Sequence, residues 1–149
     1  IVDDGEKTVS STQGHDLLKS HAYAQARFEQ ANRNLTELSE VLQQGNVSRF
    51  VELIESEALQ LHAMMMSSIP YYMLIRPNTL AIIELIWKKR RETNWEMAFT
   101  LDAGANVHLL YNSKQEADVM NFINAELLPY CKNQLYLCSA MGGGPTKIN

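Results

Sequence analysis

The sequence is short of several things, and each shortage excludes a class of protein. It holds only two cysteines, Cys131 and Cys138, among 149 residues, with no Cys-x-x-Cys pair and no His-rich cluster. That excludes a disulfide framework and a metal site of familiar spacing, and makes free thiols in a reducing cytoplasm the expectation. A basic excess is also missing. Thirteen Lys and Arg against seventeen Asp and Glu give a net charge of −4, the wrong sign for most nucleic-acid binders. The one basic cluster, Lys88 to Arg91, ends an apolar helical run, where cations complement the helix dipole. No apolar run approaches the ~18 residues of a membrane span, and no stretch reads as a signal peptide. There is no Gly-x-x-x-x-Gly-Lys-Ser/Thr loop, so a nucleotide used here would have its main phosphate cradle elsewhere. Internal repeats and low-complexity segments are absent.

What remains is ordinary globular material. Hydrophobic residues make up 46% and charged residues 20%, enough for one domain with a real core. The chain opens on "IVDDGEK" without an initiating Met, and residues 1 to 4 read as a strand end. The expectation is one domain of a longer protein. A polar, Gly-punctuated loop follows. His15 to Gln44 favours helix, expected to break at Asn32 and Asn34 into two, the second capped near Asn34 with Glu37 three residues on. Gly45 suits a helix C-terminus. Val47 to Met66 has helical spacing and ends before Pro70. "PYYMLIRP" is an extended connector, and a further helix runs from Asn78 or Thr79 to about Glu92. Trp95 to Leu101 and Val107 to Tyr111 read as strands joined by the turn "DAGAN", which is a hairpin pattern. Lys114 to Leu128 reads as helix, Leu135 to Ser139 as a short strand, and the terminal "TKIN" as a candidate edge strand. The order predicts an α+β domain, an antiparallel sheet with helices packed mainly on one face.

Four motifs bear on chemistry. "VSSTQGH", Val9 to His15, can aim hydroxyls and backbone N–H groups at an anion where a helix begins, or simply cap that helix. In "ESEALQLHAMMMSS", Glu57 and His62 suggest a pair of ligands, but two ligands do not make a metal site. The three Met residues there suit core filling. His62 alone reads as a satisfied, partly buried histidine. The glycines of "MGGGPTK" allow a backbone to approach a ligand closely, or a tight turn. "TLDAGAN" carries most. Asp102 ends a strand, Gly104 permits a sharp turn, and Asn106 can bond locally. The flanking strands are apolar on both sides. The expectation is therefore a carboxylate at the mouth of a core, where burial would favour the protonated acid.

Together "EKTVSSTQGH", "ESEALQLHAMMMSS", "AFTLDAGANVHLLY" and "GGGP" line up in order with one family. The sequence resembles the C-terminal domain of diphosphomevalonate decarboxylases, in the GHMP kinase superfamily. The resemblance implies a ferredoxin-like α+β fold and a second, N-terminal domain of the same chain that cradles ATP. It implies a cytoplasmic homodimer. It implies Mg²⁺ and ATP as cofactors, bound mainly by that other domain, and mevalonate 5-diphosphate as substrate, with isopentenyl diphosphate, CO₂, ADP and phosphate as products. Neither nucleic acid nor membrane is an expected partner. The family's catalytic aspartate falls on Asp102, where it would orient or deprotonate the tertiary hydroxyl. Ser11 falls on a substrate-contacting serine, with Thr12 and His15 beside it and Ser10, Gly104 and Asn106 in support. No residue is assigned to a metal. Three positions depart from the family pattern. Thr12 stands where some members have Arg, His15 replaces a Met, and Ala105 replaces the proline of "DAGPN". Loss of a substrate-facing cation would alter recognition of the acid end of the substrate. Alternatives are a GHMP small-molecule kinase, a mevalonate or phosphomevalonate decarboxylase, and a non-catalytic binding or dimerisation module.

Overall fold

A computed structural model describes residues 18–140 and 142. Two long helices open it, α1 (Ala24–Gln44) and α2 (Val47–Ser67). Then come α3 (Pro77–Thr93), β1 (Met97–Leu101), β2 (Val107–Tyr111) and the short α4 (Glu116–Phe122). The expected break at Asn32 and Asn34 does not occur, and α1 runs through both. An Asn in a helix costs under ~1 kcal/mol. Asn34 spends its amide on Glu57, donating Nδ2–H to Oε1 at 2.7 Å, so it does not compete for the backbone. Gly45 takes the left-handed conformation at φ 65° and closes α1, as its position suggested. Asn46 then caps α2, accepting from the Arg49 N–H at 3.1 Å. So short a link forces the helices antiparallel, and two ion pairs tie them: Arg27–Glu57 and Arg49–Glu37, both at 2.5 Å.

The strands form a two-stranded antiparallel sheet with Phe99 opposite Leu109 and Thr100 opposite His108. Met97, Phe99 and Leu101 share one face of β1 by alternation. They enter the core with Ile82, Ile83 and Ile86 of α3, Ala58 of α2, Ala105, Phe122 and Leu127. The backbone of β1 is held by side chains from the helices. Glu55 of α2 accepts from the Phe99 N–H at 3.3 Å, and Arg90 of α3 donates to the Met97 carbonyl at 3.0 Å. Glu55 is buried. Arg90 forks onto it at 2.6 and 3.0 Å, and the Trp87 indole N–H adds a bond at 2.8 Å. Arg90 therefore does more than complement a helix end, the role its basic cluster suggested. Its charge is consumed by a buried carboxylate.

Two further expectations need correction. Leu135 to Ser139 forms no strand. Leu135 and Leu137 are exposed, and the segment has no ladder partner among the described residues. The helix expected over Lys114–Leu128 changes pitch repeatedly. A 3₁₀ turn precedes α4, a π turn covers Ile123–Leu127, and a second 3₁₀ turn begins at Leu128. Pro129 has no N–H to continue an α-helical ladder. The strands expected at residues 1 to 4 and at "TKIN" lie outside the described residues.

Candidate active site

The turn from β1 to β2 is residues 102–106, and it is pinned at both ends. At its start the Asp102 carbonyl accepts two bonds, from the Gly104 N–H at 2.8 Å and from His62 Nε2–H at 3.0 Å. Near its end the Ala105 carbonyl accepts from the Thr79 hydroxyl at 2.7 Å. Thr79 is fully buried, and its oxygen also accepts from the Arg76 N–H at 3.2 Å. The first turn of α3 therefore holds one side of the loop, and the second half of α2 holds the other.

The Asp102 carboxylate is not sequestered. The sequence predicts an acid at the mouth of a core, yet the side chain is 47% exposed and its own carbonyl is what the core holds. Asp102 lies one position past the end of β1, on the side opposite Leu101, and there the cover that buries Ala98 on that side of the strand no longer reaches the side chain. His108 of β2 approaches, with Nε2 3.8 Å from Oδ2, beyond hydrogen-bond length and itself well exposed. Gly104 leaves room for the carboxylate. A Cβ on it would lie 2.9 Å from Asp102 Oδ1. Asn106 sits half-buried at the end of the same loop. Gly104 and Asn106 share this turn with Asp102. Ser10, Ser11, Thr12 and His15 lie outside the described residues.

His62 is 1% exposed, and burial lowers its pKa below the ordinary 6.5. A neutral ring with its proton on Nε2 fits the bond it makes. It does not pair with Glu57. Five residues along a helix is about 140° of turn, and Glu57 points to Arg27 and Asn34 on α1. Among the described residues no group of three or more His, Cys, Asp or Glu is placed to hold a metal. Sequence reasoning missed the parts played by His62 and Thr79. Their helical spacing marked them only as residues of apolar faces or helix starts.

Comparison with known proteins places this arrangement. The model of the mevalonate 5-diphosphate decarboxylase C-terminal domain matches residues 1–145. The chain belongs to that family. A search of the curated proteins returned no match. Among solved structures, a mevalonate diphosphate decarboxylase from Legionella pneumophila is 29% identical, with a TM-score of 0.77 over 85% of this chain and 40% of its own. MDDEF in complex with MVAPP is 26% identical, with a TM-score of 0.75 over 82% of this chain and 38% of its own. A mevalonate diphosphate decarboxylase from Staphylococcus aureus is 25% identical, with a TM-score of 0.72 over 80% and 36%. The chain thus spans well under half the length of these relatives. Membership in the decarboxylase C-terminal domain family agrees with the α+β fold and with the motifs that led to it.

Proposed function

We propose that this chain is the C-terminal part of a two-domain, ATP-dependent mevalonate 5-diphosphate decarboxylase, and that Asp102 is its catalytic carboxylate. The observation that carries the reading is an exposed carboxylate on a main chain fixed from both sides, within a chain of that family. A tertiary alcohol is a poor nucleophile. A carboxylate held within hydrogen-bond reach orients it and accepts its proton as the oxygen takes up a phosphoryl group. Phosphate and CO₂ then leave, and isopentenyl diphosphate remains. A negative charge beside the reacting carbon also stabilises the cationic character that develops there. The described residues offer no metal cage of their own. ATP and Mg²⁺ would be bound mainly by the other domain, in keeping with a related complex of MDDEF with MVAPP, AMPPCP and magnesium. Ser11, Thr12 and His15 would meet the substrate from the N-terminal loop. Homodimerisation and a cytoplasmic site belong to the same reading, and the two free thiols suit the latter.

Asp102→Asn in the full-length protein tests the assignment. CO₂ and ADP formation should both fall roughly 10²- to 10⁴-fold, with thermal unfolding little changed, because the side chain is half exposed. Wild-type turnover by that variant would remove Asp102 from the mechanism. A small-molecule kinase remains the second reading, since Thr12 and Ala105 depart from the family pattern. Such a kinase would form ADP without CO₂.

A further inference from the structure

We propose that His62 is a positioning residue that sets the direction of the Asp102 carboxylate through its main chain. The proposal rests on the reading of Asp102 given above. A peptide carbonyl has two lone pairs, and both are used at Asp102, one by Gly104 N–H and one by His62 Nε2–H. That fixes the peptide plane after Asp102. The plane before it is fixed by the pairing of Leu101 with Val107 in the sheet. An α-carbon between two fixed planes has a determined Cα–Cβ direction. Only the two side-chain torsions are left free, and Gly104, having no Cβ, leaves room for Oδ1.

The His62 bond spans forty positions in sequence and joins α2 to the loop. An imidazole that is 1% exposed loses its hydration, and this bond is what it gains in return. A methionine or leucine would fill the same space without that cost, as Met64 and Met65 do on the same helix. What only the histidine supplies is a rigid N–H at this distance. His62 does not touch the substrate in this account. It acts through the carbonyl of the residue that does.

The test uses the full-length protein with Mg·ATP and mevalonate 5-diphosphate, comparing wild type, His62→Met, His62→Gln and Asp102→Asn. His62→Met keeps the bulk and removes the donor. Its kcat should fall about ten- to a hundredfold, with KM held within about threefold. His62→Gln retains an N–H at similar reach and should recover to within about threefold of wild type. A folded His62→Met with wild-type kcat, beside an inactive Asp102→Asn, would overturn the proposal and leave the Asp102 assignment standing. An active Asp102→Asn would overturn both. Should His62→Met not fold, ring ¹⁵N resonances of the wild-type protein decide. The Nε2–H tautomer supports the proposal, and the Nδ1–H tautomer overturns it, because Nε2 could not then donate.

Discussion

At the scale of single residues, the candidate active-site turn depends on what touches Asp102. Gly104 is the sharpest case. A Cβ there would lie 2.9 Å from Oδ1, and the atom it meets ends a side chain that can swing into solvent. Gly104→Ala should therefore cost little stability while displacing the carboxylate. We expect a melting temperature within a few degrees of wild type and a kcat lower by about ten- to a hundredfold. A variant with full kcat would show that the carboxylate does not work from this position. His62 gives a pH signature. Its pKa is depressed by burial, so the folded state binds fewer protons than the unfolded one. That contribution to stability is complete above the unfolded value, ordinarily 6.5, and is lost as pH falls through the window beneath it. Between about pH 8 and about pH 5 the urea midpoint should drop more for wild type than for His62→Gln. Parallel profiles would contradict the buried, neutral assignment.

At the scale of elements, helix ends and ion pairs decide where the loop is held. Asn46→Ala removes the α2 cap and should cost about 1 kcal/mol in urea unfolding. Glu55→Ala should cost about 3 kcal/mol, because it strands the largely buried Arg90 and removes the acceptor for Trp87 and Phe99. A loss under 1 kcal/mol would mean that water replaces the pair. Elements with strong local signals were legible in the sequence: α2 and α3 with their apolar spacing, Gly45 as the end of α1, and the hairpin around "DAGAN". The continuity of α1 was not, because it depends on the bond from Asn34 to Glu57, a partner on another helix. The Arg90–Glu55 pair was hidden for the same reason, being thirty-five residues apart. Leu135 to Ser139 has strand-like composition, but composition carries no information about a ladder partner. Asp102 was singled out from its setting, and its exposure was misjudged. Strand alternation fixes which side a residue faces but not how much of that side is covered.

At the scale of the whole molecule, the chain covers 40% or less of the decarboxylases it resembles. On the proposed reading, part of the active site belongs to the other domain. The 149-residue chain alone should show no turnover, a result checked by assaying it purified beside the full-length protein. The central claim is that the full-length protein couples phosphoryl transfer to loss of CO₂. The most direct measurement supplies it with Mg·ATP and carboxyl-labelled mevalonate 5-diphosphate and counts ADP and released CO₂ together. The account predicts equal amounts of the two throughout the reaction. ADP without CO₂ would contradict it and identify a kinase built on the same fold.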